Sequence, residues 1–450
     1  MKLNVICLIA VAVWILSSCD NFLDKKSDIK LVVPKTIEDT ELLLNDYGTL
    51  NTYYPAWGEI GVDDYFLTQD VWQSITNYEQ RMAYIWADEP YTNTIQWQRP
   101  YKVVYISNQV LDILKGVDEA DGRYKRIHGG AHFYRAFALH QLTEIYSPAY
   151  TMSTAAHEMG VPVRLSPGID QKSIRPSLVD TYKQIISDFK TAIANLPIVE
   201  TTKGRPHKAS AYGALARVFL DMGDFNQAYI YADSCLQLSP ELLDFHSLAL
   251  NANYPMLRFN VEVLFPALAI TTNPLGATNA LVDTILFSAY SDDDLRKRAF
   301  FKANIEPEGT HYFKGSYDQS NTLFFGITTS EIYLVKSEAA ARIGKFDEAH
   351  KALNTLLKSR WNKDALFIPV SESNEDELLR TILTERRKEL VFRGRRWSDL
   401  KRLNLDPRFQ TTLKRTIGDQ TYTLPPNDLR YAYRIPETVI ELSGVQQNRR

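Results

Sequence analysis

Cysteine is scarce in this 450-residue chain, which holds only Cys7, Cys19 and Cys235. Cys7 lies in an N-terminal apolar segment that we expect to be removed, which leaves Cys235 alone apart from Cys19. Two remaining cysteines exclude a framework of several disulfide bonds and a zinc site built from four cysteines. With 45% hydrophobic residues, the chain is long enough to stabilise its fold by packing of a sizeable core.

An excess of charge of one sign is also missing, since 51 Lys and Arg face 54 Asp and Glu. A formal net charge of −3 provides no strong global field that would attract nucleic acid or an anionic membrane. Phosphate loops, dinucleotide fingerprints and nucleophile motifs do not occur in the sequence. The many carboxylates leave a glycosidase pair open on composition, although no motif positions such a pair.

The N-terminal hydrophobic run, from Leu3 to Leu16, is too short for a membrane-spanning helix, which needs about 20 apolar residues. Because Lys2 precedes it, the run is typical of a signal-peptide core. Leu16-Ser17-Ser18-Cys19 resembles the lipobox of bacterial lipoproteins, in which the cysteine thiol receives diacylglycerol; an ordinary secretory signal with a chance cysteine is the alternative. We predict a lipoprotein signal peptide over residues 1–18, lipidation of Cys19, durable anchoring by several acyl chains and a polar tether over 19–34.

Helical periodicity dominates the rest of the chain. Thr36, followed by Glu38 and Asp39, has the composition of a helix start, and Pro148 would end a helix that reaches Tyr146. We predict helices over residues 36–47, 101–114, 124–146 and 177–196.

Two segments share one pattern of small residues and turn chemistry. Residues 209–240 carry alanines at helical spacing around Gly223-Asp224-Phe225, and residues 330–360 carry them around Gly344-Lys345-Phe346. Small residues let two antiparallel helices approach closely, and the glycine provides the turn between them. Both segments resemble the tetratricopeptide repeat, a helix pair that must stack on neighbours to bury its faces. A helix over 375–403 would supply part of another pair.

Three other segments are rich in turn residues, in aromatic residues or in both. We predict irregular, loop-rich structure there, with a strand-like run at 261–266, and binding residues are frequent on such loops. These segments are residues 48–100, 241–329 and 404–450.

Short motifs along nearly the whole chain resemble, in the right order, those of the SusD/RagB family. The sequence departs from the family pattern at Arg393, where an acid is more usual, and at its end, where Asn448 is followed by two arginines. The matching motifs are C-D-N-F-L-D at 19–24, Y-I-S-N-Q-V-L at 105–111, H-F-Y-R-A-F at 132–137, the repeat at 211–228, D-D-D-L-R at 292–296, E-I-Y-L at 331–334 with S-E-A at 337–339, E-R-R-K-E-L-V-F-R-G-R-R-W-S-D-L-K-R at 385–402, R-I-P-E at 434–437 and Q-N at 447–448.

The resemblance implies a mostly α fold over residues 35–450, treated as one domain. Tetratricopeptide-like helix pairs, about 101–240 and 330–403, would form a right-handed superhelical scaffold beside an irregular ligand-binding part. It also implies a lipid-anchored outer-membrane protein facing outside, as in Bacteroidetes, which captures nutrient for a SusC-like TonB-dependent transporter. The nutrient would be above all an oligosaccharide or polysaccharide, and the family implies neither catalysis nor an organic cofactor. A surface glycoside hydrolase and a tetratricopeptide-type protein-binding adaptor are the alternatives.

The candidate ligand residues follow from the chemistry of sugars. A sugar ring offers an apolar C–H face and a rim of hydroxyls, so its site needs an aromatic platform edged by amide, carboxylate or guanidinium groups. Residues 63–97 have this composition, and loops in 270–325 supply a second set that includes Asn273, Asn279 and Tyr317. Trp97 and Tyr101 are predicted to pack between helices instead. The predicted binding residues are Asp64, Asp70, Trp72, Arg81, Tyr84, Trp86, Asn93, Tyr290 and Tyr312.

The basic segment 385–402 has a composition that a nucleic-acid-binding helix could share. Its arginines alternate with acids and an apolar stripe, which favours a structural helix with ion pairs. We expect Arg386, Arg387 and Trp397 to tie this helix to the repeats, and we expect no nucleic-acid partner.

Two patterns could suggest a metal site. His128 and His132 stand at a spacing that can ligate metal, but no third ligand of the zincin type accompanies them. The acidic run at 292–294 lacks the oxygen spacing of an EF-hand and suits a helix start. We therefore expect no metal site.

Overall fold

The computed structural model describes residues 34–168 and 170–450. The predicted signal peptide, Cys19 and nearly all of the tether lie outside the described residues. The described part is mostly helical, as the sequence predicts. Among its helices, none combines the length and the apolar character that crossing a bilayer demands.

Short helices make up the first described segment. Thr36 caps the first of them in a capping box with Asp39, which satisfies backbone donors at its start and confirms the predicted helix there. The elements are α1 (Ile37–Leu44), α2 (Tyr47–Leu50), α3 (Trp57–Gly61), β1 (Tyr65–Phe66), α4 (Gln69–Ser74) and α5 (Tyr78–Tyr84).

Three long helices follow: α6 (Ile95–Leu114), α7 (Tyr124–Tyr146) and α8 (Leu178–Asn195). The last two agree with the predicted bounds to within one residue, and α7 packs against both α6 and α8. The first begins six residues before the predicted start at Tyr101. The residue before that predicted start, Pro100, lies inside the helix. A proline in the second turn removes one backbone hydrogen bond and here does not end the helix.

The first predicted repeat is confirmed as α9 (Lys208–Met222) and α10 (Phe225–Leu238). Its turn at Gly223 has φ +75°, a left-handed conformation that favours glycine. The loop-rich segment that follows holds β2 (Val263–Phe265), β3 (Leu281–Val282), α11 (Thr284–Ser288), α12 (Leu295–Phe300), β4 (Phe301–Ala303), β5 (His311–Phe313) and β6 (Ile327–Thr328).

The second repeat is confirmed as α13 (Thr329–Arg342) and α14 (Phe346–Arg360). Gly344 has the same φ of +75° as the first turn, and α13 packs on α10 so that the two pairs stack. The short strands pair antiparallel as β1–β3, β2–β6 and β4–β5. The β1–β3 pair joins the loop-rich segments 48–100 and 241–329 to each other.

The prediction of one helix over 375–403 is wrong. The chain forms α15 (Glu375–Glu389) and α16 (Arg396–Leu403), separated by left-handed backbone at Phe392 (φ 56°) and Gly394 (φ +70°). A right-handed helix cannot pass through such residues. A Cβ at Gly394 would lie 2.7 Å from the ring of Phe325, so the turn also needs the absence of a side chain.

The basic segment is held by buried ion pairs. Arg386 binds Asp399 at 2.9 Å, and Arg402 binds Glu338 of α13 at 2.7 Å. Trp397 donates to the Tyr431 carbonyl at 3.2 Å, so its predicted contact with the repeats is wrong. The predicted contact of Arg387 with the repeats is also wrong, because Arg387 binds Asp64 at 2.8 Å. It ties α15 to the first, aromatic-rich segment.

The C-terminal segment contains a hairpin that the prediction of irregular structure missed. Strands β7 (Leu413–Ile417) and β8 (Gln420–Leu424) pair antiparallel around Gly418 and Asp419. Helix α17 (Glu437–Ser443) follows, and the tail returns to the scaffold where Asn448 donates to the carbonyls of Tyr146 and Tyr433 at 2.9 and 2.6 Å.

Candidate functional site

Four of the nine predicted binding residues lie in the interior, where they offer no surface to a ligand. The indole N–H of Trp86 donates to the carbonyl of Gly61 at 2.8 Å, and the hydroxyl of Tyr290 donates to the carbonyl of Lys388 at 2.7 Å. Both rings are almost fully covered, as are Tyr84 and Asp64. The sequence placed them correctly in aromatic-rich segments, but composition does not distinguish a buried ring from an exposed one.

Two short helices present the exposed members of the set. The side chain of Thr68 caps α4 and that of Asn77 caps α5, so each helix begins at a fixed residue although neither exceeds two turns. Trp72 on α4 and Arg81 on α5 are half-buried, and Tyr78 at the start of α5 is 51% exposed. We call these three side chains the α4–α5 platform.

The guanidinium of Arg81 lies between the two rings of the platform. Its central carbon is 5.9 Å from the ring centroid of Trp72 and 5.7 Å from that of Tyr78. The indole N–H of Trp72 donates to the Arg81 carbonyl at 3.1 Å. Contacts of a cation with two aromatic faces restrain all three groups, so the platform is formed before any ligand arrives.

Polar groups lie on the same two helices and on the segment that follows them. Asp70 is exposed in the first turn of α4. The hydroxyl of Tyr78 donates to Glu89 at 2.5 Å, and this hydrogen bond raises the pKa of Tyr78. Glu79 accepts from the backbone N–H of Asn93 at 3.1 Å, which holds the exposed Asn93 on the segment beside α5.

Only some of the predicted binding residues from the 270–325 loops lie near the α4–α5 platform. The Gln80 side chain of α5 accepts from the N–H of Asn273 at 2.9 Å, and Asn279 donates to the Asn273 carbonyl at 2.8 Å. These asparagines therefore lie beside α5. Tyr312 is half-buried on β5 opposite Lys302.

Tyr317 belongs to the core. It is buried, and its hydroxyl donates to Glu262 at 2.9 Å.

A cavity of about 460 Å³ lies elsewhere, and no sequence pattern pointed to it because four distant segments form it. Lys401 lines it and donates to the carbonyls of Glu144 and Ser147 at 2.8 and 2.5 Å. Burial lowers the pKa of Lys401 to about 8. The other walls come from residues 148–159, 427–432 and 446–449.

One buried cluster has donors close enough for a metal ion: His140, Glu144 and Asp221. The guanidinium of Arg395 already binds both carboxylates, with Asp221 at 3.1 Å. Although burial opposes ionisation, Arg395 holds the pKa of Asp221 well below its usual range. Arg395 thus already gives both carboxylates a positively charged partner, and it joins α7 and α9 to the start of α16.

One member of the histidine pair of α7, His132, is also occupied by protein groups. His132 Nδ1 lies 2.7 Å from Asp188, which Arg135 binds at 2.6 Å. This arrangement fits a structural ion pair.

Comparison with known proteins gives a consistent set of similarities. A family model described as "Starch-binding associating with outer membrane" matches residues 21–220, and a model described as "SusD family" matches residues 308–441. The SusD-like protein P38 of Formosa agariphila is 23% identical, over 90% of this chain and 92% of that protein.

Solved structures agree in fold. A SusD superfamily protein from Bacteroides thetaiotaomicron has a TM-score of 0.75 at 23% identity, covering 92% of this chain and 100% of that chain. The surface glycan-binding protein A of Bacteroides uniformis has a TM-score of 0.72 at 18% identity, covering 92% and 99%.

Proposed function

The chain belongs to the SusD/RagB family, and from this membership we propose that it binds nutrient glycans at the cell surface without cleaving them. It would pass an oligosaccharide or polysaccharide to a SusC-like TonB-dependent transporter in the outer membrane. The observation that carries the proposal is the α4–α5 platform, where Trp72 and Tyr78 flank one guanidinium at the surface.

The chemistry of the platform suits a sugar. The apolar C–H face of a pyranose ring stacks on an indole or phenol ring, and hydroxyls at its rim need charged or amide partners. Arg81 within the platform, Asp70 on α4 and Asn93 beside α5 are the candidates to supply them. One structural neighbour, the surface glycan-binding protein A of Bacteroides uniformis, supports the ligand class, and the platform alone does not select one glycan.

Removing the indole of Trp72 tests this assignment. We expect Trp72→Ala to weaken binding of the preferred glycan at least tenfold, about 1.4 kcal/mol, because the stacking surface is lost. A glycan array identifies the ligand, and isothermal titration calorimetry measures both affinities.

The matched control is Tyr229→Ala, since Tyr229 is a half-buried ring on α10 flanked by Lys336 and Lys345. If a folded Trp72→Ala protein binds the glycan with unchanged affinity, the platform is not part of the binding site. New reducing ends during incubation would instead favour the glycoside hydrolase.

The lipid anchor is a second part of the proposal, because a binding protein serves a transporter only if it stays at the same membrane. Cys19→Ala should move the protein from the membrane fraction to the soluble fraction, since lost acyl chains remove about 0.8 kcal/mol per buried methylene. Cys235→Ala is the control, and fractionation with immunoblotting is the measurement. Equal membrane retention of both variants would contradict anchoring through Cys19.

A further inference from the structure

A second row of aromatic rings follows one face of α6, away from the α4–α5 platform. Trp97, Tyr101 and Tyr105 are spaced four residues apart, so they lie on the same side of the helix at intervals of about 6 Å. Trp97 and Tyr101 are in contact, with ring centroids 4.9 Å apart. Tyr105 is 46% exposed, so the row runs from the interior to the surface.

These three rings line a cavity of about 300 Å³. Its opposite walls come from residues 162–168, from Ser173 and from Val439, Ser443 and Val445 at the end of the chain. The volume stands at the lower end of the range for small-molecule sites, about 300–1,000 Å³. None of the residues that line it belongs to α4, to α5 or to the 273–279 loop.

The walls of this cavity are held in place by hydrogen bonds. The Tyr101 hydroxyl donates to the carbonyl of Pro162 at 2.8 Å, and the Asn108 amide donates to that of Arg164 at 2.9 Å. Asn108 in turn accepts from Arg135 at 2.8 Å. These hydrogen bonds hold the wall formed by residues 162–168 in place beside the aromatic face of α6.

Polar groups at the rim retain unused hydrogen-bonding capacity. Arg164 donates from one terminal nitrogen to the Gln171 carbonyl at 3.0 Å and the Ser173 hydroxyl at 3.2 Å, and from the other to the Gly168 carbonyl. A guanidinium carries five N–H groups, and these contacts among the described residues use three of them. The Ser166 hydroxyl is buried and has no hydrogen-bond partner among the described residues.

We propose that this α6 cavity is a second, separate glycan site that accepts a short unbranched oligosaccharide. The half-buried ring of Tyr101 and the exposed ring of Tyr105 give the cavity aromatic surface on which a pyranose ring can stack, and the Ser166 hydroxyl and the Arg164 guanidinium suit sugar hydroxyls. The ligand class rests on the proposed function, whereas the location rests on the cavity itself. Two sites on one chain would let it hold a polysaccharide at two points and raise its effective affinity.

The test compares Tyr105→Ala, Tyr105→Phe and Trp72→Ala with the wild-type protein. The probes are an array of α- and β-linked unbranched hexaoses, followed by calorimetry with the hexaoses that bind. Tyr105 is exposed, so its removal should leave the melting temperature unchanged. We expect Tyr105→Ala to lose at least tenfold in affinity at one of two sites, Tyr105→Phe to retain it, and Trp72→Ala to lose only the other site.

The outcomes separate the two proposals. If the Tyr105→Ala protein binds every hexaose with the affinity of the wild type, the α6 site is overturned and the platform is unaffected. Binding lost in Tyr105→Ala but intact in Trp72→Ala would support the α6 site and overturn the platform. Absence of binding to any glycan would overturn the proposed function together with this inference.

Discussion

Replacing Arg360 with methionine should lower the free energy of unfolding by about 3–5 kcal/mol, the usual cost of removing one partner from a buried ion pair. The Arg360 side chain is completely buried. It binds Glu262 at 2.7 Å and Glu389 at 2.8 Å, and it donates to the Leu243 carbonyl at 3.0 Å. Without the guanidinium, two buried carboxylates would lose their main counter-charge.

Chemical denaturation at neutral pH measures the loss. Arg408→Met is the matched control because Arg408 also binds several acids, including Asp406 at 2.8 Å, but is a third exposed. Such surface pairs contribute about 0–1 kcal/mol. Equal losses in the two variants would contradict the claim that buried charge pairs join the second repeat to α15.

The second large effect concerns Glu59, which makes stability depend on pH. Burial, followed by repulsion from Asp64, raises the pKa of Glu59 from 4.5 to about 8. The folded protein therefore keeps a proton that the unfolded chain releases, and stability falls as pH rises between these two values. The slope attributable to this group is about 1.4 kcal/mol per pH unit.

Glu59→Gln should remove that part of the pH dependence, because an amide keeps the size of the protonated carboxyl and does not ionise. The free energy of unfolding of the variant should equal that of the wild type near pH 4.5 and exceed it near pH 8. Denaturation midpoints across this range are the measurement, with Glu306→Gln on the exposed β4–β5 loop as the control. A slope that persists in Glu59→Gln would show that Glu59 is already ionised in the folded state.

The repeats could be predicted from sequence because their determinants are local. Alanines at helical spacing and a glycine at the turn specify the α9–α10 pair, and the same chemistry specifies α13–α14. The break between α15 and α16 could not be predicted, because Phe392 adopts left-handed backbone under tertiary constraint; its ring stacks on Phe313 at 4.9 Å. The hairpin was missed although Gly418-Asp419 between alternating strands was a usable indication.

The exposure of the predicted binding residues could not be predicted from the sequence. Aromatic composition located residues 63–97, yet only burial separates Trp72 from Trp86. The expected packing role of Trp97 agrees with its edge-to-face contact with Tyr146, at 4.9 Å between ring centroids. The same indole also lines the α6 cavity, which depends on a loop more than 60 residues away in the chain and so has no local sequence pattern.

A crystal structure of the full mature chain with the tightest-binding hexaose from the array tests the central claim most directly. We expect an intact sugar chain with one pyranose ring stacked on the indole of Trp72 and a hydroxyl within hydrogen-bond distance of Arg81. A cleaved sugar would contradict the proposal of binding without catalysis. A sugar that leaves both the α4–α5 platform and the α6 cavity empty would contradict the assignment of the sites.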